Sequence, residues 1–424
     1  MQVITYHADG KSDAVNEACM KFLATICTSS KRAREAISHA NECSACLSFA
    51  SKCIASHASV FEDTSSSETV GDLLDTMVEK PSSSAPLEIG NVNIILSSIT
   101  FLSCMTRIIT TRTLIIQDAQ VKDAFNVILK SSPSQIIKFG VVSFFATLAQ
   151  YVSDFSQEES QYSVQSLSSI LLTTFDRNIP QQVRHSQSET VPPLFGDFSK
   201  MHHFNDNLVL ATACTAFEHM FCRMPKELLN DVLSTIVRKF SDMVKYEMKT
   251  TKKIAMKARN SGLLVSNLSS LLFLCATRLE HQDDLKNKSF LSDLLRVILL
   301  NPGEKLVEGK KDNEDTINAM KIDKTNWNCC LMHCLQCLAL LSIEVFNIDG
   351  VESWDEIMSS VESEVQVYTQ GRRANRVVGS NTSKNQVTRL STVAKLSKYW
   401  KDGLDSGISV AAKKVIDNLD LLSS

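Results

Sequence analysis

Helical spacing of apolar residues dominates this sequence. Apolar side chains recur every three or four positions through most of the 424 residues, the spacing that places them on one face of an α-helix. No run of four to eight residues alternates apolar and polar side chains between turn signals, as a half-buried strand would. The 13 glycines and 8 prolines are too few for the turns of sandwiches, barrels or Rossmann-type folds. The pattern therefore predicts an all-α fold.

Five segments share a more specific pattern, with apolar residues at offsets of 0, +4, +8 and +11. Such residues form one broad stripe on a helix that is buried in a stack. The five stripes are Val15, Cys19, Leu23 and Ile26; Ile137, Val141, Phe145 and Leu148; Val209, Ala213, Phe217 and Met220; Leu264, Leu268, Leu272 and Cys275; and Trp327, Leu331, Leu335 and Leu338. The spacing alone fits both an ordinary helical bundle and an array of helical repeats.

The segment Val121 to Ala149, VKDAFNVILKSSPSQIIKFGVVSFFATLA, favours the array. It reads as a helix ending in an Ile-Leu pair, a Ser-Ser-Pro turn, and a longer helix whose first buried residue is predicted to be Ile137. Over about thirty residues it resembles an armadillo repeat. The resemblance implies an irregular armadillo/HEAT-like α-solenoid with loop insertions, because the five stripes start farther apart than the usual repeat of about 40 to 47 residues.

Four polar stretches divide the predicted array. Helical repeats are expected at residues 1–61, 91–179, 208–300 and 327–369, with a C-terminal capping helix at 389–424 and a stripe that includes Val393, Leu396 and Trp400. A flexible polar loop is expected at 62–90, a loop at 180–207, a charged loop at 301–326 and a flexible basic loop at 370–388. Because the first stripe begins without a preceding polar helix, the first segment is expected to be uncapped, as in a fragment of a longer array.

The resemblance also bears on the kind of ligand. In peptide-binding armadillo proteins, an Asn near the end of the third helix clamps the backbone of the bound peptide. The equivalent positions here hold Thr25, Thr147, His219, Leu274 and Cys337. An importin-like ladder for an extended basic peptide is therefore not expected.

The thirteen cysteines lie mostly in apolar helical patterns, which is typical of buried thiols in a reducing compartment and indicates a cytoplasmic or nuclear protein. Two groups contain spacings that zinc sites use: His39, Cys43, Cys46, Cys53 and His57; and Cys329, Cys330, His333, Cys334 and Cys337. One face of one helix cannot surround a tetrahedral ion. We therefore expect core thiols, with no metal and no cofactor.

Two uncharged stretches of membrane length are diluted by Ser, Asn and Thr, so no membrane span is expected.

The sequence contains a local basic stretch and no known catalytic motif. No nucleophile elbow, phosphate loop, dinucleotide fingerprint or H-E-x-x-H motif is present, so we predict that the chain is not an enzyme. Lys+Arg (44) and Asp+Glu (47) nearly cancel, which means that any basic site must be local. One basic stretch could face an acidic protein or a phosphate backbone: Arg238, Lys239, Lys245, Lys249, Lys252, Lys253, Lys257 and Arg259.

Ser-Gln pairs suggest regulation. They occur at Ser134 and at the candidate phosphorylation sites Ser156, Ser160 and Ser186, and they resemble clustered targets of DNA-damage checkpoint kinases. The leading hypothesis is a non-catalytic scaffold or adaptor that binds a protein partner. The alternative is a nucleic-acid-associated or genome-maintenance factor that uses the basic strip.

Overall fold

The computed structural model describes residues 13–65, 89–132, 134–152, 157–175, 205–249, 260–278, 282, 285–305, 314–341, 354–374, 392–401 and 406–423. Within these residues there are sixteen α-helices, two short 3-10 helices and no strand. The all-α prediction is confirmed. No helix in this part of the chain is both long and apolar enough to cross a membrane.

The chain forms two compact units, Met1–Leu228 and Leu229–Ser424. The first contains α1 (Asp13–Ser29), α2 (Lys31–His39), α3 (Cys43–Ser65), α4 (Ile89–Met105), α5 (Ile109–Gln117), α6 (Ala119–Ser131), α7 (Gln135–Ala149), α8 (Gln157–Leu172) and α9 (Asp206–Met220). The second contains all but the first three residues of α10 (Lys226–Lys249), then α11 (Ser261–Ala276), α12 (Lys288–Leu300), α13 (Glu314–Leu341), α14 (Trp354–Ala374), α15 (Thr392–Lys401) and α16 (Ser406–Ser423). The 3-10 helices are Phe221–Arg223 and Pro302–Lys305.

Helices of the first unit stack in rows. α1 packs on α4, α4 on α7, and α7 on α9, while α3 packs on α6 in a second row. Contacts of α3 with α4 and of α6 with α7 join the two rows. Helices that pack together within a row are thus two or three elements apart in chain order.

The second unit uses the same kind of packing. α11 packs on α13, and α13 on α16. α12 contacts α13, α14 and α15, and α15 pairs with α16. The Phe240 ring of α10 meets the Phe290 ring of α12 edge-on, with centroids 6.2 Å apart.

The segment that resembles an armadillo repeat forms the predicted helix, turn and helix. Asp118 caps α6 by accepting from Val121 N at 3.2 Å, and Ser134 caps α7 by accepting from Ile137 N at 3.4 Å. Such caps satisfy backbone donors that the first turn of a helix leaves open. Asp118 also accepts from the Ser51 hydroxyl of α3 at 2.7 Å. One carboxylate therefore caps α6 and holds it against α3 within the second row.

Four of the five predicted stripes are buried throughout, those of α7, α9, α11 and α13. The stripe of α1 was predicted one residue out of register, since the residues it buries are Met20, Leu23, Ala24 and Cys27. In α7 burial begins at Ile136, before the predicted Ile137. Lys138 of the same helix is 5% exposed despite its charge. Twelve of the fifteen residues of α7 are buried, because neighbours pack on it from several sides.

Several predicted boundaries are wrong. Residues 314–326, predicted as part of a charged loop, form the first half of α13. The capping helix predicted at 389–424 consists of two helices, α15 and α16, and Val393 and Trp400 of its stripe are exposed. Helix α3 runs to Ser65, and α14 to Ala374, into residues predicted as loop. Residues 66–88, 176–204, 306–313 and 375–391, which make up most of the predicted loops, lie outside the described residues.

Removing one ring of the phenylalanine cluster tests this packing. Phe125, Phe144 and Phe145 form a triangle with ring centroids 5.1 to 5.5 Å apart, and Phe145 is buried. Phe145→Ala should leave a cavity that lowers the free energy of unfolding by about 3 to 5 kcal/mol. Lys130→Ala, at an exposed position of α6, should change it by less than about 0.5 kcal/mol.

Hydrogen exchange shows which helices the Phe145→Ala substitution destabilises. In Phe145→Ala, exchange should rise most between Val121 and Phe175 and much less beyond Trp327, because repeats of an array contact only their neighbours. A uniform rise along the whole chain would instead indicate one cooperative bundle.

Candidate functional site

A polar groove runs along α10 where that helix meets the start of α12. Its volume is 580 Å³, and its lining comprises Asn230, Leu233, Ser234, Val237, Arg238, Ser241, Asp242, Lys245, Asn287 and Ser289. Leu233 and Val237 provide the apolar part, and hydroxyl, amide and charged groups surround it. The α10–α12 groove, as we call it, contains the predicted basic residues Arg238 and Lys245.

The amphipathic sequence of α10 positions these side chains. Leu229, Val232, Ile236 and Phe240 are buried, which turns Arg238 and Lys245 outward, seven residues apart on one face. Both are exposed. Asp242 lies between them on the same face and is also exposed, so the charged groups of the groove lining sum to +1. Asp231, seven residues before Arg238, is exposed on the same face outside the lining.

The start of α12 adds to the positive character of the groove. Asn287 caps the helix by accepting from Phe290 N at 2.8 Å, and Ser289 of the first turn lines the groove. The N-terminal end of a helix carries about half a positive charge, which favours nearby anions. Carboxylates of a bound segment would therefore be attracted by two cations and a helix end, with hydroxyl and amide groups within the lining to bond them.

Only part of the predicted basic strip reaches this surface. Lys239 is 6% exposed because it falls on the buried side of α10, so the prediction that it belongs to an exposed strip needs correction. Lys249 is the last residue of α10. Lys252, Lys253, Lys257 and Arg259 lie outside the described residues.

The Ser-Gln sites are mostly outside the described part of the chain. Ser156 and Ser186 lie there, and Ser160 is in the first turn of α8. Ser134 is buried and is occupied as the cap of α7. A phosphate on Ser134 would therefore require the start of α7 to open.

The first group of cysteines is divided between two helices. His39 ends α2 and is exposed, whereas Cys43, Cys46 and Cys53 are buried in α3. His57 also lies in α3. Burial raises the pKa of the Cys46 and Cys53 thiols to about 11. These thiols stay protonated at neutral pH, which disfavours the thiolate form that binds metals.

The second group of cysteines packs inside α13. Cys330, Cys334 and Cys337 are buried, and the Sγ atoms of Cys330 and Cys334 are 3.8 Å apart. Burial raises the pKa of Cys334 and Cys337 far above the usual range for a thiol. In the described ranges, no three His, Cys, Asp or Glu side chains are grouped so that they could hold a metal ion.

Sequence reasoning missed a serine–histidine pair between α11 and α13. His333 Nδ1 lies 3.1 Å from Ser269 Oγ, and its ring stacks on Phe273 at 6.2 Å. The Ser269 hydroxyl also lies 2.8 Å from the Ser266 carbonyl, which can accept its proton. The tautomer of His333 decides which atom of the Ser269–His333 pair donates. Burial lowers the pKa of His333, and the pair joins α11 to α13.

A second missed contact is the carboxylate of Asp323 at the start of α11. Its Oδ1 accepts from Gly262 N at 3.2 Å, and the preceding Asn260, in the left-handed region at φ 65°, makes no side-chain cap. Asp323 of α13 therefore caps its neighbour. Burial raises the pKa of Asp323 from 3.8 to about 6, against the smaller, opposing effect of the Gly262 hydrogen bond. The two residues are 61 positions apart, and no local pattern connects them.

Comparison with known proteins returned no relative. No family model matches the chain, and no curated protein matches it.

Thiol labelling should separate the cysteines by burial. Cys222 is exposed, whereas burial raises the pKa of Cys27 and Cys275 to about 12. Iodoacetamide at pH 7.5 should modify Cys222 quickly, and Cys27 and Cys275 only after unfolding. Peptide mass spectrometry would measure the extent of labelling at each cysteine. Native mass spectrometry of the intact chain should find no stoichiometric zinc. Bound zinc, or fast labelling of Cys27, would contradict the assignment of core thiols.

The Asp323 cap should give the stability of the second unit a defined pH dependence. The folded state raises the pKa of Asp323, so its contribution to stability is fullest below pH 3.8 and is lost as pH rises through about 6. Asp323→Asn keeps an acceptor oxygen without a buried charge. At pH 7.5 the variant should be more stable than the parent by roughly 1 to 3 kcal/mol.

Thermal unfolding midpoints of both proteins from pH 4 to 8 test this. The advantage of the variant should vanish near pH 4, and His333, which is common to both proteins, cancels in the difference. Asp123→Asn, at an exposed carboxylate of α6, should show no such pH dependence. A difference that does not change with pH would contradict the assignment.

Proposed function

We propose that this chain is an irregular armadillo/HEAT-like α-solenoid with loop insertions, and that it acts as a non-catalytic scaffold or adaptor in the cytoplasm or nucleus. In this proposal an acidic segment of a protein partner docks in the α10–α12 groove. The observation that carries the proposal is the serial packing of helices within each unit.

Serial packing supports the array. Contacts run from α1 to α4, α7 and α9 in one unit and from α11 to α13 and α16 in the other. In helical-repeat proteins each repeat is stabilised by its neighbours, and the side-by-side helices present long surfaces that bind partners. Four of the five predicted stripes belong to these same rows.

The pKa shifts of the cysteines support a non-catalytic role. Burial raises the pKa of the thiols in both cysteine groups. A nucleophilic thiol requires a lowered pKa or a base that accepts its proton. The raised pKa values are the opposite of that condition.

Charge in the groove supports an acidic protein partner. Arg238 and Lys245 flank hydroxyl and amide groups, with Leu233 and Val237 below them. A mixture of cations and apolar floor suits a peptide segment with carboxylates and at least one apolar side chain. A phosphate backbone would use the cations but would leave the apolar floor uncovered.

Charge reversal in the groove tests the proposal. The double variant Arg238→Glu with Lys245→Glu should recover its cellular partners at about one tenth of the parent level or less, because like charges then face the partner's carboxylates. Quantitative affinity purification of the intact chain gives this measurement. Arg32→Glu with Lys130→Glu, a change of two exposed cations in the first unit, should recover the same partners as the parent.

A zero-length carbodiimide cross-linker locates the contact, since it joins carboxylates only to amines that touch them. Partner carboxylates should couple to Lys288, which is exposed beside Asn287, and this coupling should disappear in the double variant. Duplex DNA serves as the contrary probe. Binding that depends on Arg238 and Lys245 and falls steeply between about 50 and 200 mM salt would favour the nucleic-acid-associated function instead.

A further inference from the structure

Helices α15 and α16 form a second surface, outside the α10–α12 groove. Three of its apolar side chains face solvent: Val393 is 50% exposed, Trp400 41% and Val410 69%. Val393 and Trp400 are seven residues apart and lie on one face of α15. Lys413 Nζ lies 5.7 Å from the centre of the Trp400 ring, and Val410 is one helical turn before Lys413. The three apolar side chains therefore border one area, the C-terminal patch.

The backbone beneath the patch is fastened in place. Leu396 and Tyr399 are buried, and the Tyr399 hydroxyl donates to the Ile298 carbonyl of α12 at 2.9 Å. The Ser409 hydroxyl donates to the Trp400 carbonyl at 2.8 Å. Trp400 thus projects from a helix that is held on its other side, so a partner would lose little entropy in ordering it.

Two lysines are placed near the exposed tryptophan. Lys401 follows Trp400 directly and is exposed, and Lys413 of α16 lies against the indole ring. Lys398 is exposed on the other side of α15, because residues two apart on a helix do not face each other. With Asp402, Asp405, Asp417 and Asp420 included, residues 392–423 carry a net charge of about +1. Carboxylates of a partner that covers Trp400 would meet Lys401 and Lys413.

The extent of the exposed apolar area distinguishes a peptide partner from a lipid surface. An amphipathic helix places three or four apolar side chains along one face, which matches the three of the patch. Lipid binding requires a broader apolar face that enters the acyl region, and the lysines here interrupt any such face. Exposed tryptophan is also the residue type that most often anchors a protein interface.

We propose that the C-terminal patch docks an acidic amphipathic segment of a partner protein. Trp400 is its apolar anchor, and Lys401 and Lys413 pair with carboxylates of the segment. The patch is independent of the α10–α12 groove and does not require it.

Panning a random twelve-residue peptide phage library on the intact chain tests the proposal, with counter-selection on Trp400→Ala. Enriched peptides should be acidic, with aromatic or aliphatic residues at helical spacing. For the most enriched peptide, labelled with fluorescein, anisotropy should show binding at least about tenfold weaker to Trp400→Ala and to Lys401→Glu with Lys413→Glu. Trp400→Phe should stay within about threefold of the parent.

Controls separate this result from loss of folding. Phe22→Ala removes an exposed aromatic side chain (55% exposed) from the first unit and should bind the peptide as the parent does. Peptide addition should slow hydrogen exchange in α15 and α16 of the parent but not of Trp400→Ala. Circular dichroism should match between these proteins.

Three outcomes would overturn the proposal. One is the absence of peptides whose enrichment depends on Trp400, and another is enrichment of neutral or basic peptides alone. The third is Trp400-dependent binding to phosphatidylserine vesicles or to single-stranded DNA that is tighter than binding to any enriched peptide.

Discussion

Trp327 sits between two glycines, and the second unit depends on this contact. A Cβ at position 262 would lie 3.1 Å from Trp327 Cδ1 and 2.7 Å from the Asp323 carboxylate, and one at position 303 would lie 3.2 Å from Trp327 Cβ. A side chain at position 262 would have to displace Asp323, and one at position 303 would press on Trp327. Because Trp327 is fixed in this position, the later residues of α13 keep their register against α11. His333 therefore reaches Ser269, and the apolar stripe of α13 packs on α11. Helix α16 is then attached to α13 through Asn418, which donates to the Ala339 carbonyl at 2.8 Å.

Helix α12 carries the elements that present both proposed surfaces. Its start lines the groove, and its Ile298 carbonyl holds Tyr399 beneath the C-terminal patch. On its outer side Arg296 bonds Asp293 at 2.5 Å and Glu364 of α14 at 2.6 Å. Asp293 is 1% exposed, and removing the arginine would leave its charge buried without compensation. The ion network therefore holds α14 against the same helix that supports the binding surfaces.

The fold class and most stripes could be predicted because a helix that is buried on several sides, such as α7, is apolar at most positions. Any choice of starting residue for the stripe then selects buried residues. Helix α1 buries only one side, so a shift of one residue changed which residues were predicted to be core. Charge misled the prediction in two ways. Lys138 is buried because α7 is covered on several sides, and Lys239 because it falls on the buried side of α10. Residues 314–326 are helical because an exposed helix face tolerates charge. The contacts of Asp323 with Gly262 and of His333 with Ser269 span 61 and 64 positions, and no local periodicity encodes a pairing of that range.

Several polar side chains in both units start helices. Asp118 caps α6, Ser134 caps α7, Asp323 caps α11, and Glu362 of α14 accepts from Thr392 N at 2.6 Å at the start of α15. A carboxylate engaged in this way satisfies backbone donors and ties neighbouring helices together, and it is not available for proton transfer to a substrate. The two proposed surfaces use other side chains of the second unit, namely Arg238 and Lys245 in the groove and Trp400 in the C-terminal patch, all at exposed positions.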